Sequence, residues 1–171
     1  MTYAIVYEQQ DREHEKARAG RCRDAARGRA ARIRERGRGG RRDACGCDRV
    51  YVGFWTNRGD CTDEAAELLA SLGGKEVFLF GTCGFGADAT YFAGVMARVL
   101  THLPESAHVV GTFMCQGSMP PSVRERYERQ AEANPAQAAR MAQLIENFDE
   151  AVNHPDENDL ARLRAAVEAL P

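Results

Sequence analysis

Three short apolar runs, each giving way to a loop rich in glycine, constrain this 171-residue chain more than any other feature. The runs are residues 49–54, 76–80 and 108–115, and the loops are Gly53 to Gly59, Gly81 to Gly86 and Cys115 to Pro120. β-branched and aromatic residues fill the runs with little polar alternation, which is the pattern of strands buried on both faces. Between them lie helical patterns. One follows Cys61, with Thr62 or Asp63 as its N-cap, acids in its first turn and Gly73 just past its end. Another spans 88–103, capped by Asp88, with Tyr91, Phe92, Val95, Met96, Val99 and Leu100 at near-helical spacing. Further helices are expected over about 121–133, 135–152 and 158–169, and a first strand over 2–7. Strands alternating with helices predict a doubly wound parallel sheet with helices on both faces.

In such sheets ligands bind in the crevice outside the carboxyl ends of the strands. Trp55, the only tryptophan, sits at one of those ends. It is either a cap on the core or a flat platform for a flat ligand. The length suits one domain, residues 1–171, with a sizeable core. No apolar run is long enough to span a bilayer, and the start lacks the basic leader of a signal peptide. Six scattered cysteines (22, 45, 47, 61, 83 and 115) point to a reduced, cytoplasmic protein. Cys45 and Cys47 have no second pair at zinc-site spacing.

Residues 8–47 break the pattern. They carry 13 basic against 7 acidic side chains, while the rest of the chain carries 10 against 18. Arg, Gly and Ala dominate from Ala17 to Arg42, and Ile33 is the only large aliphatic residue there. Five glycines interrupt any helix, each costing about 1 kcal/mol against alanine. Taken literally, this is a basic insert with neither the crossover helix nor the strand that a parallel sheet needs at this point. Such a segment offers phosphate neutralisation to nucleic acid or another anionic partner.

Taken together, Val52-Gly-Phe-Trp-Thr, Phe78-Leu-Phe-Gly-Thr-Cys-Gly-Phe-Gly, Gly111-Thr-Phe-Met-Cys-Gln-Gly, Val123-Arg-Glu-Arg-Tyr and Ile145-Glu-Asn-Phe-Asp resemble the flavodoxin family. Within it they are similar to the short flavodoxin-like proteins of anaerobic bacteria called BilS, which are encoded beside a bilirubin reductase. The resemblance covers residues 1–7 and about 48–160. It implies a flavodoxin-like fold, bound FMN and electron transfer as a flavoprotein rather than side-chain chemistry on a substrate. It also implies a redox partner protein, with a bilirubin-reductase-type enzyme as one candidate. The flavin ring is expected between Phe54, Trp55, Thr56 and Asn57 on one side and Thr82, Cys83, Gly84, Phe85 and Gly86 on the other, with Tyr91 flanking it.

The family's phosphate loop, Ser/Thr-x-Thr-Gly-Asn-Thr after the first strand, is missing. Glu8-Gln-Gln-Asp-Arg-Glu-His-Glu-Lys stands there, and its four carboxylates would repel a phosphate. Written as degenerate codons and read one base later, the same stretch permits Ser-Ser-Lys-Thr-Gly-Asn-Thr-Lys-Lys. Hydroxyls and backbone N–H groups in that order bind a dianion at a helix start. The continuing shifted text permits an apolar-rich first helix. Residues 8 to about 46 therefore read as a frameshifted translation, with the frame restored before Asp48. The competing reading is a genuine basic insert on a flavodoxin-fold protein that lacks FMN and binds nucleic acid.

Other candidates carry less. Cys83 lacks an evident base, since His102 follows one helix and His108 begins a strand. Arg124, Arg126 and Arg129 interleave with Glu125 and Glu128 as a solvated helix face. Cys115 to Ser118 lies at a third strand end and is expected to line either the pocket or a partner surface. Sequencing the gene tests the frameshift: a pair of compensating single-base shifts is expected between codons 7 and 48, and an intact frame across that interval sinks the idea.

Overall fold

The computed structural model of the chain describes residues 2–7, 31–35 (backbone), 46–86 and 88–171. Five parallel strands form one sheet: β1 (Tyr3–Tyr7), β2 (Ala31–Glu35), β3 (Arg49–Trp55), β4 (Glu76–Cys83) and β5 (His108–Gln116). Their spatial order is β2-β1-β3-β4-β5, the order of a flavodoxin-like doubly wound sheet. The helices are α1 (Asp63–Ala70), α2 (Ala89–Leu100), α3 (Pro121–Ala133), α4 (Ala138–Ala151) and α5 (Glu157–Glu168), with a 3₁₀ turn at Pro135–Gln137 before α4. Among the described residues no helix is long and apolar enough to cross a membrane.

One expectation is corrected. The Arg-rich segment was expected to supply no strand, yet Ala31–Glu35 pair with β1, Ile5 opposite Ile33. The physical reason is the ladder itself. β1 has β3 on one edge only, and its other edge carries N–H and C=O groups that need partners whatever side chains the neighbouring strand bears. The crossover, the recoverable phosphate loop and the frameshift between residues 8 and 30 and between 36 and 45 lie outside the described residues.

Alternate side chains of each strand feed two layers. On one face Val6, Val50, Val52, Phe54, Val77, Leu79 and Met114 pack with Leu68, Leu69 and Leu72 of the α1 segment and Val95, Met96 and Val99 of α2. Val50, Val77, Leu69, Leu79, Val95 and Val99 have no exposed surface, and each such side chain contributes about 1.5–3 kcal/mol when fully buried. On the opposite face Tyr3, Tyr51 and Phe78 form a chain of ring contacts at 5.7 Å. That face is covered in part by α5: the guanidinium of Arg162 lies 5.6 Å from the Phe113 ring.

The caps follow the sequence. Thr62 Oγ1 accepts from Ala65 N at the start of α1, with Asp63 and Glu64 in the first turn, and Asp88 accepts from Thr90 N at the start of α2. The start of α5 is held by a reciprocal capping box between Asp156 and Asp159.

Two glycines in the central strands let rings lie flat across the sheet. A Cβ at Gly53 would stand 2.6 Å from the Phe80 ring and 2.8 Å from Tyr7 Cβ. One at Gly81 would meet the Phe54 ring at 2.6 Å and Met114 Sδ at 2.7 Å. Tyr7 Cβ is fixed by its own backbone and cannot swing aside. Gly53→Ala is therefore expected to destabilise the fold by about 1–3 kcal/mol through overpacking, read as a lower urea midpoint at unchanged m-value; an unchanged midpoint would show that the sheet has room there.

Candidate functional site

The doubling-back of strand order occurs between β1 and β3, and a cleft of about 990 Å³ opens over the carboxyl ends beside it. That volume lies at the upper end for small-molecule sites. Its first wall is the end of β3 and the loop after it. Thr56 N donates to Thr82 O at 2.9 Å, so this loop is tied to the end of β4. Beyond it Asn57 and Asp60 exchange backbone hydrogen bonds across a tight turn, with Arg58 and Gly59 in the left-handed region at φ 52° and 86°. Arg98 of α2 closes the turn from behind by donating from Nε to Gly59 O at 2.6 Å.

Asp60 anchors the same loop. Its carboxylate accepts from Cys61 N at 2.7 Å and contacts His102 Nε2 at 3.1 Å. Partial burial pushes the Asp60 pKa up, but the Cys61 N–H and His102 outweigh it and hold it below the ordinary carboxylate value. His102 is thus an anchor of this loop through Asp60.

The second wall is the loop after β4. The buried Cys83 thiol donates to Phe85 O at 3.4 Å. Phe85 is 47% exposed and meets Tyr91 edge to face at 5.6 Å. Burial, and secondarily Cys83, raise the Tyr91 pKa above its ordinary value. Asn147 of α4 clamps this loop from the far side: Oδ1 accepts from Gly86 N and Nδ2 donates to Gly84 O, both at 2.8 Å.

Of the ten residues expected from sequence, nine line this one cleft: Phe54, Trp55, Thr56, Asn57, Thr82, Cys83, Gly84, Phe85 and Tyr91. Gly86 does not; its N–H is occupied by Asn147. Phe54 reaches the cleft only as part of its floor, because its ring is buried against Gly81.

The third wall was largely missed. Cys115, Gly117 and Ser118 line the cleft, as the strand-end pattern suggested, but so do Arg126 and Tyr127 of α3 and His154 and Asp159 at the start of α5. Arg126 is exposed, as the solvated face expected on α3 requires, and it also borders the cleft with its guanidinium 5.4 Å from the Tyr127 ring. Arg129 is likewise exposed beside Glu125, whereas Arg124 is half-buried and pairs with Glu128 and, across to α4, with Asp149. Asp156, which caps α5, is the residue type through which sequence could point to this contribution.

Comparison with known proteins follows the same direction. A family model described as flavodoxin domain matches residues 36–168. A flavodoxin-like domain-containing protein BilS of Clostridium symbiosum (strain WAL-14163) is 40% identical over 117 residues, 66% of this chain and 61% of that protein. A second protein of that description, from Clostridioides difficile (strain CD3), is 26% identical over 113 residues, 66% of this chain and 64% of that one. The match thus spans less than two thirds of either relative. Among solved structures, a flavoprotein in complex with FMN from Lactobacillus acidophilus NCFM superposes with a TM-score of 0.47 at 13% identity, over 67% of this chain and 93% of that one.

The clamp on the second wall makes a direct prediction. Asn147→Ala removes two partly buried hydrogen bonds and is expected to cost about 1–3 kcal/mol and to speed hydrogen exchange at the Gly86 amide. Asn147→Asp, which keeps the acceptor for Gly86 N, should restore protection there; equal exchange in all three proteins would show that α4 does not hold the loop.

Proposed function

The chain belongs to the flavodoxin domain family, and we propose that it binds FMN in the cleft beside the β1/β3 switch and works as an electron-transfer flavoprotein. The observation that carries this reading is the fit of the ring-side walls to a flat heteroaromatic group. Trp55, Phe85 and Tyr91 supply aromatic surface. Thr56 and Thr82 line the same cleft beside them.

The groups assigned to the ring are those of the sequence reading: Phe54, Trp55, Thr56 and Asn57 from one loop and Thr82, Cys83, Gly84, Phe85 and Gly86 from the other, with Tyr91 flanking. Gly86 and Phe54 act through the loop and the floor. FMN, when bound, supplies one- and two-electron transfer; the chain binds it, orients it and excludes water from its ring. The phosphate side belongs to the loop after β1, where the text of this chain presents carboxylates.

A redox partner protein follows from this role, and a bilirubin-reductase-type enzyme is the candidate by likeness to the BilS proteins. The acidic excess outside residues 8–47 suits docking to a basic face. Cys47, Cys61, Cys83 and Cys115 are buried thiols, which suits a cytoplasmic setting.

Titration of the purified chain with FMN tests the reading, since Trp55 is the sole indole and its emission reports the cleft. Quenching of both flavin and indole emission is expected. Trp55→Ala should weaken binding about tenfold, the equivalent of one lost aromatic contact. A chain with Ser-Ser-Lys-Thr-Gly-Asn-Thr restored after β1 should bind more tightly still, and equal affinity of the literal and restored chains would overturn the broken-loop reading. A colourless protein that leaves FMN emission unchanged but binds DNA with a steep salt dependence would favour the nucleic-acid alternative.

A further inference from the structure

Beside the first wall, and outside the cleft, three side chains of different chemistry converge. Asp60 ends the turn after β3, Cys61 follows it, and His102 stands just past the end of α2. A carboxylate oxygen of Asp60, the Cys61 Sγ and a ring nitrogen of His102 all lie within 4.8 Å of one another. His102 Nε2 stands 3.1 Å from both Asp60 oxygens, and the Cys61 thiol hydrogen-bonds the same carboxylate. None of the three is among the residues that line the cleft. The side chains of Asp60 and His102 are 37% and 32% exposed, so the cluster is open to solvent. Cys61 is buried and belongs to the apolar layer under α1 and α2.

Oxygen, sulfur and nitrogen donors together are a ligand set for zinc, which binds all three tetrahedrally at about 2.0–2.3 Å. Such ligands stand about 3.3–3.6 Å apart around one ion, so side-chain movements of about an ångström close these three onto it. Magnesium and calcium prefer oxygen ligands throughout and gain nothing from a thiolate or an imidazole. The charge balances as well. Asp60, held below the ordinary carboxylate value, is ionised near neutrality. With a Cys61 thiolate and a neutral imidazole the set carries two negative charges, which one divalent cation cancels. Cys61 immediately precedes Thr62, the N-cap of α1, where the helix dipole favours a thiolate.

The donors also sit on backbone that is already fixed. The Asn57–Asp60 pair and Arg98 hold the turn. Asp60 Oδ1 accepts from Cys61 N at 2.7 Å, which orients the carboxylate with Oδ2 beside His102. His102 N donates to Val99 O at 3.2 Å and so extends the last turn of α2. Ligands oriented by such contacts bind metal at low reorganisation cost.

We propose that Asp60, Cys61 and His102 bind one zinc ion, with water as the fourth ligand. The zinc–sulfur bond forms as the thiol proton passes to water, and the ion replaces the hydrogen bonds that join the three side chains. It staples the turn after β3 to the end of α2 and so stiffens the wall that carries Trp55. The inference goes beyond the FMN reading and does not depend on it.

The test uses the full chain, stripped of metal, kept reduced with a phosphine and free of flavin, with Co2+ alone as the probe. One equivalent is expected to give a sulfur-to-cobalt charge-transfer band and the visible bands of tetrahedral cobalt, and Zn2+ should remove both. Cys61→Ser should abolish the charge-transfer band. His102→Gln should weaken Co2+ binding at least about tenfold. A variant carrying Cys22→Ser, Cys45→Ser and Cys47→Ser should keep the band. Zn2+ should raise the melting temperature of the wild type and leave that of His102→Gln unchanged. If Cys61→Ser loses its native melting transition, His102→Gln is read in its place. The proposal is overturned by a wild type without the band, by a band that survives in Cys61→Ser, or by one that vanishes in the three-serine variant. Equal Co2+ affinity, or an equal melting shift, in wild type and His102→Gln overturns it too.

Discussion

The structure depends on β3 being paired along both edges. β1 and β4 flank it in parallel register, Val52 opposite Val6 on one side and Leu79 on the other. With no edge of its own, β3 sends Val50, Val52 and Phe54 into one layer and Tyr51 and Gly53 into the other. Its last residue, Trp55, lies in register with Thr82. The Thr56-to-Thr82 hydrogen bond then carries this pairing one residue beyond the strand. The two loops that form the cleft's ring side are therefore continuations of the central ladder, and their spacing is set by the sheet. Arg98 and Asn147 add a brace to each loop from behind. Such a site is preorganised: little backbone ordering remains to be done when a ligand enters.

What the sequence made legible, and what it did not, follows from the range of the interactions involved. Strands β3, β4 and β5 are rich in β-branched and aromatic residues despite one glycine in each, so composition locates them. Thr62 and Asp88 announce their helices because capping is a contact over two or three residues. Strand β2 had no such signal: Arg and Ala carry no β preference, and its partner β1 lies 28 positions earlier, Tyr3 against Ala31. A ladder satisfied by backbone atoms leaves little trace in side-chain pattern.

The site divides in the same way. Its first two walls are strand ends, but each strand runs two residues past the glycine that opens the expected loop, β3 through Gly53 to Trp55 and β4 through Gly81 to Cys83. Its third wall is made by chain returning from a distance. Gly86 meets Asn147 across 61 positions, and Ser118 meets His154 O across 36. Periodicity says that 121–133 and 138–151 are helices, but not that their hairpin leans over the carboxyl ends of the sheet. Arg126 and Arg124 illustrate the limit. They sit two residues apart on α3 with the same charged neighbours, yet one lines the cleft and the other pairs with Asp149 on α4.

The two ends of the sheet are finished differently, and the difference separates stability from function. At the amino end polar groups are closed off against one another. Thr2 N donates to Asp48 at 2.8 Å, and Arg49, 5% exposed, donates to Glu76 at 2.7 Å and to Pro171 O at 2.9 Å. A buried guanidinium is tolerable only when its donors are answered in this way. At the carboxyl end the aromatic surface of Phe85 stays open and Thr56 Oγ1 stays unpaired among the described residues. Open aromatic surface and an unanswered hydroxyl both disfavour the chain on its own, so the packing deficit of the sheet lies at this end. The sheet can carry that deficit at one end because the buried polar groups described at the other end are answered.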